Sequence, residues 1–195
     1  MVSLKIYIDW KSPASYLALG PTLRLLDELD LQAVWLPLRS AQSPLPAAPE
    51  PGDVGASHRW TRAHARQRMH LHYADVQGLD MKFPAQPGSS DLALNALLLA
   101  NDCSPTLLWN FFRAYWVDGL DLNNAGVVHD LATQSGVELD GDNLVDLGAL
   151  EVHLTQALEF DKVVDAPGYV VGEEVFIGRE HLPWIRECLL HGEQK

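Results

Sequence analysis

The chain has little cysteine. Its 195 residues include two, Cys103 and Cys188, too far apart in sequence for a CxxC redox pair or a metal-spaced cluster. A disulfide-stapled secreted scaffold is thereby excluded, and a reducing, cytoplasmic setting is expected. Basic residues are also scarce, with 14 Lys and Arg against 26 Asp and Glu for a formal net charge of −12. A field of that sign repels phosphates, so no nucleic-acid partner is expected. No apolar run approaches the ~18 residues of a membrane span, so no membrane partner is expected either. The first strand pattern begins at Leu4, which leaves no room for the charged and apolar regions of a signal peptide.

What the chain does have is apolar material, 47% of its residues with six tryptophans, enough for one domain carrying a sizeable insertion. Residues 4–9, "LKIYID", alternate as a strand does. From Pro13 the apolar spacing is helical, with Ser12 as N-cap and Pro13 at the first helical position. Pro21 inside that pattern predicts a kink or a break. Residues 31–38 read as a second strand. Residues 43–57, with four prolines and two glycines, read as a loop. Helices are expected at 58–78, 91–103, 105–119, 123–137 and 143–161. Residues 168–178 then read as a hairpin turning at Gly172-Glu173-Glu174, and 179–192 as a closing helix. The order is β-α-β, a helical middle, then β-β-α. This is the fold class α/β, thioredoxin-like, with residues 1–42 and 160–195 forming the thioredoxin-like domain and 43–159 a helical insertion.

In such folds the active site lies at the first strand-to-helix turn. A proline before the third strand, commonly cis, faces that turn, and here it is Pro167. Where redox members carry C-P-x-C, this chain reads S-P-A-S, Ser12 to Ser15. Hydroxyls form no disulfide, so dithiol exchange at this site is excluded. A hydrogen-bond donor remains at the positive end of a helix, suited to holding a thiolate that another molecule supplies.

Three stretches, "DWKSPASYLA" (9–18), "FRAYWVDGLDLNN" (112–124) and "APGYVVGEEVFIGREHL" (166–182), agree in order and spacing with one family. In them the chain resembles the 2-hydroxychromene-2-carboxylate isomerases, of the kappa-class glutathione transferase branch of the DsbA-like superfamily. The resemblance implies glutathione as an unconsumed cofactor and a small aromatic or unsaturated organic acid as substrate, in a cis–trans isomerisation. It places Ser12 on the serine that bonds the glutathione sulfur. Ala166, before the cis-proline Pro167, falls where the backbone pairs with the cysteinyl part. Arg179 and Glu180 fall where the γ-glutamyl end is held. A homodimer would be ordinary for such a protein. Two other readings stay open: a kappa-like transferase or peroxidase that consumes glutathione, and a non-catalytic thioredoxin-fold binding protein.

Other signals have plainer readings. Ser12 is also a helix cap, and Ser15 reads as structural. Arg59, Arg62, Arg66 and His70 share a helical face, which is either a solvated stripe or an anion-attracting wall. His58, His64, His70 and His72 scatter around the helix, so no metal is expected. Phe112, Tyr115 and Trp116 form an apolar face, part of which the resemblance places beside the substrate pocket. Cys103 and Cys188 read as apolar packing residues.

Overall fold

Strand β1 (Leu4–Ile8) lies inside a four-stranded sheet of order β2-β1-β3-β4. It pairs in parallel with β2 (Ala33–Pro37) and antiparallel with β3 (Gly168–Val171), which pairs antiparallel with β4 (Glu174–Ile177). The computed structural model describes residues 3–41, 44–100 and 103–191. Helix α1 (Pro13–Glu28) joins β1 to β2 as the crossover that a parallel pair requires. Helices α2 (Val54–Val76), α3 (Asp91–Leu99), α4 (Pro105–Trp116), α5 (Ala125–Gln134), α6 (Gly141–Val145) and α7 (Gly148–Glu159) follow. A 3-10 turn (Arg179–His181) and α8 (Leu182–His191) close the chain. This is the expected thioredoxin-like fold with a large helical insertion. The proline-rich stretch is shorter than the sequence implied, because Asp53 caps α2 by accepting from Ala56 N at 2.8 Å. Of that stretch, Ser43 lies outside the described residues.

The period of two along β1 divides the apolar residues between two faces. Leu4, Ile6 and Ile8 enter the larger core, shared with α1, α3 and α4. An aromatic stack joins the sheet to the insertion: Trp10 lies 5.0 Å from both Phe111 and Phe112, and Tyr16 lies parallel to Trp116 at 6.1 Å. Both indoles are fully buried with their N–H groups paired, Trp10 Nε1 to Ala93 O and Trp116 Nε1 to Trp10 O, each at 2.9 Å. Tyr7 points to the other face and packs with Ala157, Val163, Ala166 and Val170. There α7 lies against the sheet, with His153 stacked on Tyr7 at 6.0 Å and bonded to Pro37 O at 3.2 Å.

Two expectations at helix boundaries are corrected. Of the kink or break expected at Pro21, the break does not occur, and α1 continues through it. Proline has no N–H for the carbonyl four residues earlier, Leu17 O, and that carbonyl accepts instead from Arg179 Nη1 at 3.2 Å. The Gln77 amide, assigned the orientation that satisfies both of its ends, completes the arrangement, with Nε2 3.3 Å from Leu17 O and Oε1 2.7 Å from Arg179 Nη1. Residues 143–161, expected as one helix, are split between α6 and α7. Asp146 is extended there and accepts from Gly148 N at 3.0 Å. Asn95 Nδ2, fully buried on α3, donates to the carbonyls of Asn143, Leu144 and Asp146 and holds the break in place.

The turn after β1 is organised by Asp9, whose side chain is fully buried. Its Oδ1 accepts from Lys11 N (3.0 Å) and Ser90 Oγ (2.9 Å), and its Oδ2 from Ser40 N (2.8 Å) and Ser40 Oγ (2.7 Å). The hydroxyls can rotate to suit an amide; the two backbone N–H groups cannot. Asp9→Asn therefore orphans one backbone N–H in either orientation. The expected loss is about 1–3 kcal/mol of unfolding free energy, read from denaturant titration; an unchanged midpoint would show that the four contacts do not contribute.

On the second face, Asp161 accepts from Lys5 Nζ at 2.8 Å and from the Tyr7 hydroxyl. Burial pushes the Asp161 carboxyl up, but the hydrogen bonds from Lys5 and Tyr7 outweigh it, and the net shift is downward. A carboxylate lowered on folding stabilises the fold above its unfolded pKa, ~3.9, and loses that contribution as pH falls through the folded value. Asp161→Asn should thus cost about 1 kcal/mol at pH 7. The gap between variant and wild type should close below about pH 4. A gap that persists at lower pH would mean that packing, and not charge, supplies the effect.

Candidate functional site

Ser12 stands where β1 hands over to α1. Its backbone N–H donates to Asp9 O at 2.9 Å, so the aspartate that anchors the turn also sets where the helix begins. The Ser12 side chain caps α1 by accepting from Ser15 N at 3.2 Å. Its hydroxyl donates across to Ala166 O at 2.9 Å. The Ala166–Pro167 peptide bond is cis. Ser12, Ala166 and Pro167, drawn from the two ends of the chain, are thus brought together. Both Ser12 and Ala166 are nine-tenths buried or more.

The polar groups of this site satisfy one another. Ala166 O holds the Ser12 hydroxyl, and Ala166 N donates to Asp165 Oδ1 at 2.8 Å. Neither of two cavities on the described surface, one between α1 and α4 and one between α1 and α8, is lined by Ser12. A ligand reaching Ser12 has to displace Ala166 O from the hydroxyl, and one pairing with Ala166 N has to displace Asp165.

Two neighbours stand out, Lys11, which the sequence did not single out, and Ser15, which it marked as structural. Lys11, directly before the cap, is 8% exposed, and its ammonium has no hydrogen-bond or ion-pair partner among the described residues. Ser15 is 1% exposed, and its Oγ has no partner. The start of α1 therefore combines the helix's positive end, an unpaired cation and an orphaned hydroxyl. Lys11 carried no signal in the sequence because lysine before a turn is ordinarily solvated; only its burial makes it unusual.

Arg179 and Glu180 lie at the start of the 3-10 turn, directly after Gly178, whose N–H donates to Pro167 O at 2.9 Å. Arg179 is turned onto Leu17 O and Gln77, and its guanidinium sits 4.5 Å over the Tyr73 ring. Glu180 is exposed, its carboxylate folded back over Gly178, which has φ +95° and no Cβ to obstruct it. Of the basic stripe, His70 stacks on Phe83 at 6.2 Å. Burial, then the charges of Arg66 and Arg179, hold its pKa below the usual histidine value. Arg59, Arg62 and Arg66 form no ion pair among the described residues.

No protein-family model matches the chain, and no curated protein is significantly similar to it. Solved structures do match. A 2-hydroxychromene-2-carboxylate isomerase is similar at 18% identity and TM-score 0.71, covering 97% of each chain. The cytosolic disulfide reductase DsbM from Pseudomonas aeruginosa is similar at 15% identity over 98% of each chain. Its TM-score is 0.63 in a structure with GSH and 0.67 in another. These likenesses show a thioredoxin-like fold with a helical insertion, as in those structures.

The electrostatics of the site can be read directly. Ser12→Cys places a thiol at the cap, and its pKa should fall at least one unit below the ordinary ~8.5. Adding Lys11→Met should return part of that shift. Ultraviolet absorbance of the thiolate against pH measures both; an ordinary thiol pKa in Ser12→Cys would show that this helix end exerts no useful field.

Proposed function

We propose that the chain is a glutathione-dependent isomerase of a small aromatic or unsaturated organic acid, working at Ser12. The observation that carries this reading is the Ser12 hydroxyl, set at the N-terminus of α1 and 2.9 Å from the carbonyl of the residue before a cis-proline. Serine in place of cysteine removes dithiol chemistry but keeps a donor for an incoming sulfur. The residues present fit such a molecule: the orphaned Ser15 hydroxyl lies in the first turn of α1, Lys11, whose ammonium has no partner among the described residues, directly precedes the cap, and both complement an anion.

Bound glutathione would supply a thiolate that adds reversibly to a conjugated carbon, so that the former double bond can rotate before the thiolate is released unchanged. The chain's part is positioning and electrostatics. Ser12 swings its O–H from Ala166 O toward the sulfur. The α1 N–H groups and Lys11 favour the ionised form. Ala166 N, once free of Asp165, holds the ligand backbone, and Glu180 is available to the ammonium of a γ-glutamyl end. Cytoplasmic placement and a homodimer belong to the same proposal.

A second reading has its own support. Because Ser12, Ala166 and Asp165 already satisfy one another, the site also suits a thioredoxin-fold protein that binds a partner without catalysis. A transferase or peroxidase would differ from the isomerase by net thiol consumption during turnover.

Calorimetric titration of reduced glutathione separates these readings. Micromolar to low-millimolar binding is expected in the wild type (about −8 to −4 kcal/mol). Ser12→Ala should weaken it about tenfold, the loss of one charge-assisted hydrogen bond. Asp165→Ala should tighten it several-fold by freeing Ala166 N and removing a nearby negative charge. No heat with any of the three proteins would remove glutathione from the account and leave the binding-protein reading.

A further inference from the structure

A cavity of about 510 Å³ opens between α1, the 78–80 turn and the outer face of α4, within the size range of small-molecule sites. None of Ser12, Ala166, Pro167, Arg179 or Glu180 lines it. One wall is aromatic: the Trp109 and Tyr16 rings meet edge to face at 6.3 Å and 80°. Trp109 is backed by Gly20 of α1, where even a Cβ would come within 3.8 Å of the ring. The turn is fixed by the Tyr16 hydroxyl, which donates to Asp80 O at 3.0 Å. The cavity thus has a rigid apolar side set by α1 and α4.

Its polar side carries one charge of each sign. Arg113, on the last turn of α4, and Asp80 both line the cavity. Neither forms an ion pair among the described residues, with the other or with a third group. Both nevertheless act on the Tyr16 hydroxyl: its pKa is raised chiefly by burial, with Arg113 pulling it down and Asp80 pushing it up. Opposite charges therefore flank one hydroxyl, more than 4 Å apart and unpaired. A simple carboxylate entering here meets Arg113 but is opposed by Asp80, and a simple amine meets the reverse. A ligand with both charges on adjacent atoms answers both.

We propose that this cavity binds a free α-amino acid with an aromatic side chain. Its carboxylate lies on Arg113, its ammonium on Asp80 and its ring against Trp109. The site is separate from the Ser12 centre and does not rest on the function proposed for it.

The test uses three probes of matched shape, L-phenylalanine, 3-phenylpropionate and phenethylamine, titrated calorimetrically into the full chain. Phenylalanine is expected to bind at about millimolar Kd or tighter, with each single-charge analogue at least about tenfold weaker. Arg113→Gln and Asp80→Asn should each weaken phenylalanine about tenfold, and Asp80→Asn should improve 3-phenylpropionate. Both side chains are exposed, so the variants should fold, which circular dichroism checks. Ser12→Ala should leave phenylalanine binding unchanged. Equal binding by the three probes, loss in neither charge variant, or no phenylalanine binding at all would each overturn the proposal.

Discussion

The rest of the structure depends on one buried carboxylate. Asp9 closes the turn after β1, and its four acceptor contacts reach three separate parts of the chain: its own turn at Lys11, the end of β2 at Ser40, and the start of α3 at Ser90. A buried charge is tolerated only with such coordination. Any geometry that loosened one arm would leave the carboxylate or a backbone N–H unpaired. The insertion is thereby held to the thioredoxin-like sheet at the place where α1 begins. Arg39 reinforces the junction from outside, bonding Asp91 at 2.8 Å and Glu151 at 2.6 Å, although an exposed network of that kind contributes less than the buried hub.

A second junction turns a local defect into a connection. Pro21 deprives Leu17 O of its helical partner, a loss that ordinarily kinks or ends a helix. Here Arg179 and Gln77 supply the missing donors, one from the turn after β4 and one from the end of α2. The proline therefore specifies a contact among three elements far apart in sequence. It also bears on function: the arginine expected to hold a ligand is engaged in keeping α1 continuous, and Tyr73 covers its face. A charged residue at a turn can serve ligand or scaffold, and only the carbonyl it meets distinguishes the two.

Much of this was legible in the sequence because it is local. Alternation marked β1, the Ser12-Pro13 pair marked the start of α1, and the glycine turn at 172 marked the hairpin; each depends on neighbours within a few residues. That Pro167 faces the turn at Ser12 followed from the order of elements, and the part of Ala166 from the family resemblance. What could not be read depends on contacts across long separations. Asp9 looked like the polar end of a strand, and its role as hub came from Ser40 and Ser90. The split at Asp146 is held by Asn95, about fifty residues earlier. Helix α7 lies on the second face of the sheet through His153 and Tyr7, although its own pattern does not distinguish that face from the insertion core.

The substitution of serine for cysteine changes more than redox chemistry. A reactive thiolate at a helix N-terminus is stabilised as an anion and needs no partner. A hydroxyl stays neutral there and must place its proton on an acceptor. Ser12 places it on Ala166 O, so the two halves of the site are bonded to each other. Asp165 does the same for Ala166 N. On the function proposed above, a ligand has to replace both contacts, and a thiolate with a peptide-like backbone beside it would offer an acceptor for the hydroxyl and another for the N–H. On the same reading the Lys11 ammonium, which has no partner among the described residues, would favour an anion in that exchange. On that reading, selectivity comes from what an entering group must displace as much as from what it then touches.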